Sequence, residues 1–274
     1  MENGVKIMDS KVVLITGCSS GIGRRLCILL AEKGYLVAAT ARDISKIHDI
    51  PAALKLKMDV TDEESIKTAV ETVIRQYGRI DILVNNAGYS VRSAIEEIDL
   101  KEMSQMFEVN VYGAIRMIQA VAPYMRKQNS GKIINIGSIS GKLTGYVNGS
   151  YCASKHAIEA ISDAARLELQ SFGIQVSVFE PGAIDTEFFN TLSKNSDEKM
   201  KNNKSPYMDR YQNDMNYRKK QKRADLEKAS EEIYNKLNKK KLKARYLIAV
   251  PKIYNLLIVL PGGIREKIMH LFSH

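Results

Sequence analysis

Tyr151 and Lys155 stand four residues apart in a stretch, residues 150–172, whose alanines and isoleucine (Ala153, Ala157, Ile161, Ala164) recur at helical spacing. Residues four apart on a helix share a face, so the spacing sets an ammonium beside a phenol. A free phenol titrates near pH ~10, and a nearby positive charge favours its ionised form. Such a tyrosine can exchange a proton near neutral pH as a general acid or base. Ser138 follows a short apolar run at residues 132–136. Its hydroxyl can bond a substrate oxygen on which charge builds. Cys152 is adjacent to the tyrosine, but no histidine is placed to activate it, and His156 neighbours Lys155 instead.

A second group of residues suits a phosphate. The run Thr16-Gly17-Cys18-Ser19-Ser20-Gly21-Ile22-Gly23 follows the apolar segment Val12-Val13-Leu14-Ile15 and opens a helical pattern through Leu26, Leu29 and Leu30. Glycines at a strand-to-helix turn let the backbone approach a pyrophosphate, and the helix start supplies free N–H groups. The alternative is a purely structural turn. Further on, Arg42 ends the second strand-like run. Its guanidinium can grip a 2′-phosphate with two bonds, or it is a surface arginine. Asp43 competes with it from one position later.

These residues need a scaffold, and the pattern supplies one. Strand-like runs at residues 12–15, 35–40, 80–84, 132–136, 175–179 and 245–250, with Leu54, Leu56 and Met58 alternating with lysines, alternate with helical stretches. The alternation predicts βαβ units: an α/β, Rossmann-type doubly wound parallel sheet of about seven strands with helices on both faces. Thr61 and Glu64 form a capping-box pattern ahead of a helix ending near Tyr77, and one helix is expected across residues 103–127. No repeat or internal boundary divides residues 1–274, which are expected to make one domain. Residues 187–243 form an expected lid or insertion and residues 251–274 an extension.

The glycine spacing, with Asn85-Asn86-Ala87-Gly88, Asn110, Ser138, Tyr151-Cys152-Ala153-Ser154-Lys155 and Pro181-Gly182, resembles the short-chain dehydrogenase/reductase family over residues 11–187. The resemblance implies that Tyr151 is the acid/base, that Lys155 also binds the nicotinamide ribose and that Ser138 orients the substrate. Asn110 would support a water chain to the lysine. The cofactor would lie on Gly17, Ser19, Ser20, Gly21, Ile22 and Gly23, with Asp59 and Val60 at the adenine. Asn86 would pack on the adenosine side, and Pro181, Gly182 and Thr186 complete the cofactor set. An NAD-selective carboxylate would fall at Ala41, so Arg42 implies NADP(H) preferred over NAD(H). The family usually pairs through its two long central helices, so a homodimer or homotetramer is expected.

Composition bounds the rest. The chain of 274 residues is 45% hydrophobic and 26% charged, as soluble globular proteins are. Three widely spaced cysteines make no disulfide framework. No long apolar run suggests a leader or a spanning helix, and a cytoplasmic setting is expected. His270 and His274 are four apart but read as a polar tail, and no metal is expected. The net charge is +10, and residues 199–245 hold 16 basic and 6 acidic residues, leaving the remainder balanced. That segment reads as a solvated helical face, with peripheral membrane contact as the alternative and nucleic acid disfavoured.

Leu143, Tyr146, Val147, Phe188 and Phe189 are expected to line an apolar substrate pocket without a fixed charge. Ile233 and Leu237 would give the lid an apolar face, and the lid would be mobile without ligand. The opening glycine segment, the TARD segment and the tail are similar to the hydroxysteroid and retinol dehydrogenase branch, implying a steroid- or retinoid-like carbonyl or secondary alcohol. A 3-oxoacyl or general ketone/aldehyde reductase is an alternative. Outside catalysis, an NADP-binding sensor or a membrane-surface scaffold is the other reading.

Overall fold

A computed structural model describes residues 10–189 and 204–271. Seven strands form one sheet: β1 Val12–Ile15, β2 Leu36–Ala41, β3 Leu54–Lys57, β4 Ile82–Asn85, β5 Gly131–Ile136, β6 Ile174–Pro181 and β7 Arg245–Ile248. Their spatial order is β3-β2-β1-β4-β5-β6-β7, and every pairing is parallel. The direction of winding reverses between β1 and β4, so a crevice opens beyond the carboxyl ends of those strands.

Side chains of a strand alternate between faces, and the two cores follow that rule. Val13 and Ile15 pack with Leu26, Cys27 and Leu30 of helix α1 (Gly21–Glu32). Val12 and Leu14 pack on the other face with Ile66, Val70 and Val73 of α2 (Glu63–Tyr77) and Met117, Val121 and Met125 of α4 (Gly113–Gln128). Strands buried on both faces read as continuous apolar runs, which is why β1 lacks a polar residue.

The N-terminus of α2 differs from the capping box read in the sequence. Asp62 caps it, accepting from the N–H groups of Glu64 and Ser65. Thr61 is drawn back instead, its N–H and hydroxyl donating to Asp59. The helix expected across residues 103–127 is also interrupted. It is α3 (Leu100–Phe107), a π-helical turn (Glu108–Tyr112) and α4. The widened turn carries Asn110 into the interior, where it is 3% exposed.

α5 (Gly149–Leu169) carries the tyrosine and lysine. After β6 come α6 (Met208–Lys220) and α7 (Leu226–Leu237), then α8 (Ile253–Val259) and α9 (Gly262–Leu271). α7 packs on α1 and completes one helical layer of the sheet. Its Ile233 and Leu237, read in the sequence as a lid face, are fully buried in that core. A crossover between parallel neighbours needs such a helix, so residues 226–237 serve the fold rather than a lid. The basic run is a solvated face at Lys219, Lys220, Lys222, Lys228, Lys239, Lys240, Lys241 and Lys243, which are exposed, whereas Arg218 is 5% exposed. Part of the expected mobile lid, residues 190–203, and the terminal His274 lie outside the described residues. Among the described residues no helix is long and apolar enough to cross a membrane, and no cluster could hold a metal.

Candidate active site

The crevice beyond β1 and β4 holds a cavity of about 1650 Å³. Gly17, Ser19, Ser20, Gly21 and Ile22 line one end, with Ala41, Arg42, Asp59, Val60 and Asn86 around them. Ser138, Tyr151, Lys155, Pro181, Gly182 and Thr186 line its middle. Gly23 and Asn110, named in the same set from the sequence, do not reach this cavity.

Their positions explain why. Gly17 adopts φ +70°, and a Cβ there would lie 2.9 Å from the Ala87 Cα. The Asn86 amide donates to the carbonyls of Thr16 (2.9 Å) and Gly17 (3.0 Å). Thr16 Oγ1 accepts from the N–H groups of Asn86 (3.0 Å) and Ala87 (2.9 Å). The Asn-Asn-Ala-Gly loop therefore pins the glycine turn. Gly23 makes room for that bracket, since its Cβ would fall 2.3 Å from Asn86 Nδ2 and 2.5 Å from the Gly17 oxygen. Gly23→Ala is therefore expected to cost roughly 1–3 kcal/mol of stability by overpacking. It should also weaken dinucleotide binding about tenfold or more. Thermal melting and cofactor titration check this, and wild-type values in both would show that the bracket is dispensable.

Asn110 holds protein groups. Its Oδ1 accepts from the Tyr89 N–H (3.0 Å), and its Nδ2 donates to the Tyr89 carbonyl (2.8 Å) and Ser154 Oγ (3.2 Å). It also borders a small polar cavity of about 10 Å³ that Lys155, Asn85 and Asn135 share.

Tyr151 is 8% exposed, and its phenol hydrogen-bonds Ser138. The Ser138 hydroxyl also accepts from the Ser140 N–H (3.1 Å), which fixes it just beyond β5. Phe188 covers the tyrosine, with ring centroids 5.8 Å apart. Burial pushes the phenol up to about 12, with the Ser138 bond pulling the other way. Lys155 Nζ donates to the Ile136 carbonyl (2.8 Å) and lies 5.7 Å from the tyrosine ring centroid. Burial pulls the lysine down to about 8, and Glu159 one turn on pulls it back up. Burial thus works against the effect of a neighbouring positive charge at both groups. Desolvation disfavours the charged form of each, raising the phenol and lowering the ammonium.

The rim residues divide as well. Asp43 Oδ1 accepts from the N–H (3.1 Å) and hydroxyl (2.7 Å) of Ser45, capping a short 3₁₀ turn. Its carboxylate is engaged away from the cavity, while Arg42 is exposed on the cavity wall. Cys152 is 1% exposed, and burial raises its thiol, so it is an unreactive neighbour.

Leu143, Tyr146, Phe188 and Phe189 line the far end. Val147 does not: it sits at φ 45°, packed with Ala94 and Tyr211, and its carbonyl accepts from the Ser93 N–H (2.9 Å). The far end also carries charges that the sequence reading left out. Arg92 donates to Asp214 Oδ1 (3.2 Å), and Arg218 donates to Asp214 Oδ2 (2.8 Å). All three line the cavity, as do Tyr254 and Leu257 of α8. The four-residue spacing of Asp214 and Arg218 was the one local signal.

Residues 11–197 match the family model described as short chain dehydrogenase. The chain is 41% identical over 181 residues to a 3-ketodihydrosphingosine reductase of Bacteroides thetaiotaomicron, covering 66% of each, so it spans just under two thirds of that relative. It is 32% identical over 248 residues to a probable short-chain type dehydrogenase/reductase, VdlC, of Helicobacter pylori, covering 87% of this chain and 88% of that one. The crystal structure of a short-chain dehydrogenase from Streptomyces avermitilis superposes with a TM-score of 0.79 at 29% identity, covering 97% and 96% of the two chains. Sequence over two thirds of its length and fold over nearly all of it agree: the chain belongs to the short chain dehydrogenase family of nicotinamide-dependent oxidoreductases.

Proposed function

We propose that the chain is an NADP(H)-dependent oxidoreductase acting on a lipophilic carbonyl or its secondary alcohol, a steroid- or retinoid-like compound among the candidates. The observation that carries the reading is the Tyr151 phenol, bonded to Ser138 and covered by Phe188, on the wall of the cavity that the glycine turn enters. The glycine turn, with Gly17, Ser19, Ser20, Gly21 and Ile22 on the cavity wall at the start of α1, fits a dinucleotide pyrophosphate. Arg42, exposed beside it while Asp43 is engaged by Ser45, supports a 2′-phosphate and hence NADP(H).

The bound cofactor supplies the hydride. Tyr151, protonated in this state, donates its proton to the carbonyl oxygen as charge develops there. Ser138 bonds the same oxygen and keeps it in reach of the phenol. Lys155 holds the ribose side of the cofactor and, through the small polar cavity shared with Asn110, opens a route for reprotonation. The Bacteroides relative is named as a reductase of a keto compound, which favours the reductive direction.

The proposal has a pH consequence. Reduction needs Tyr151 protonated and Lys155 charged. Tyr151 is pushed up to about 12 and Lys155 pulled down to about 8, so the lysine is the first of the two to fail as pH rises. The kcat/KM for reduction should fall above about pH 8. A profile flat to pH ~10 would separate Lys155 charge from the reaction.

NADPH oxidation screened over long-chain ketones, steroids, retinoids, acyl thioesters and simple ketones tests the activity. Carbonyl-dependent consumption is expected, and none over the panel would leave the non-catalytic sensor reading. Peripheral membrane contact has support of a different kind from the basic stretch. Ile253, Leu256 and Val259 on α8 are exposed beside the cavity-lining Tyr254 and Leu257. Exposed Tyr112 and Leu167 at the central helices support pairing with a second copy.

A further inference from the structure

We propose that Arg92 determines specificity by holding a carboxylate of the lipophilic substrate close to the carbonyl that reacts. The inference rests on the carbonyl-reductase reading and names the substrate's second recognition element.

Arg92 follows the loop beyond β4, and Asp214 and Arg218 come from α6, more than a hundred residues later. The three side chains are 13%, 11% and 6% exposed. Asp214 is divided between two guanidiniums: Oδ2 serves Arg218 at 2.8 Å, and Oδ1 serves Arg92 at 3.2 Å. Arg92 therefore donates one long bond where a guanidinium can make a bidentate pair. Its Nε meets no acceptor among the described residues. A buried guanidinium is costly unless paired and hydrogen-bonded, and arginine does not shed its charge to escape that cost.

The position suits a ligand. Arg92 lines the same cavity as Tyr151, and its charge acts on the phenol, pulling it down against the effect of burial. Phe188 and Leu257 supply apolar surface in that cavity. An amphiphile with an acidic group near its ketone and a hydrocarbon body matches both features. A clamp fastening α6 to the β4 loop would need the Asp214 contacts, but it gives no reason to place Arg92 on the cavity wall with a single long bond to its guanidinium.

The test uses the full chain saturated with NADP⁺, and calorimetric titration with dodecanoate, dodecanol and dodecylamine. Wild type should bind dodecanoate about ten- to hundredfold more tightly than dodecanol, the worth of a charge-assisted bond. Arg92→Met should abolish that preference while dodecanol affinity changes little. Arg92→Lys should keep part of it. If Arg92→Met melts at low temperature, the wild-type ligand order and Arg92→Lys decide. Equal affinities in wild type, tightest binding of the amine, or a preference that survives Arg92→Met would overturn the proposal. NADPH-dependent turnover of methyl nonyl ketone is followed in parallel. Turnover without a dodecanoate preference rejects the carboxylate site alone. A dodecanoate preference lost in Arg92→Met, with no turnover of methyl nonyl ketone, 4-oxododecanoate or the carbonyl panel, leaves an anion site and overturns its place beside a reacting carbonyl.

Discussion

Tyr151→Phe should lower kcat for carbonyl reduction about 10²–10⁴-fold, the usual loss when a general acid is removed. The substitution deletes one oxygen from a ring that packs against Phe188, Val91 and Met106, so the fold and cofactor binding should persist. Among the described residues the phenol's hydrogen-bond partner is Ser138, itself held by the Ser140 N–H. Single-turnover rates with saturating NADPH, beside a cofactor titration, separate the two effects. Wild-type turnover in Tyr151→Phe would remove the residue from proton transfer. Loss of cofactor binding in step with activity would make it a packing residue.

Arg42→Ala should weaken NADPH binding about ten- to hundredfold and leave NADH nearly unchanged. The side chain is exposed at the end of β2, so the fold owes it little. Ala41 is 3% exposed and lines the cavity beside it. Ala41→Asp combined with Arg42→Ala should therefore favour NADH, by offering a carboxylate to the ribose and repelling a phosphate. Fluorescence titration with both cofactors reads the outcome. An equal loss for the two would show that Arg42 supports the loop rather than selecting the cofactor.

What the sequence made legible follows from how local each signal is. The glycine turn, Ser138, and the Tyr151–Lys155 spacing lie within single elements, and the structure sets them on one cavity. The strands of the sheet were readable because burial on both faces leaves nearly continuous apolar runs, as in Val12-Val13-Leu14-Ile15. Contacts between distant segments were not readable. The resemblance sets Gly23 on the cofactor, and the space its Cβ would fill is taken by Asn86, 63 positions later. Arg92 meets Asp214 across 122 positions, and neither residue has a neighbour in sequence that announces the pair. Ile233 and Leu237 show the limit of periodicity. An apolar helical stripe says that a face is buried, not whether it covers a pocket or the sheet.

The tyrosine and lysine show a further limit. Their spacing gave the shared face correctly, but not the balance between charge and desolvation. Burial on the cavity wall raises the phenol and lowers the ammonium. The proton inventory of the site is therefore a tertiary property.

The central claim is tested most directly by following the label from NADPH carrying deuterium at both C4 positions into the product of a carbonyl that the chain consumes. Mass spectrometry of the alcohol should find deuterium on the carbinol carbon. The label should arrive about 10²–10⁴-fold more slowly with Tyr151→Phe and at the wild-type rate with a substitution far from the cavity, such as Glu71→Gln. Consumption of the cofactor with no deuterium on that carbon, or labelling unaffected by loss of the phenol, would contradict the account.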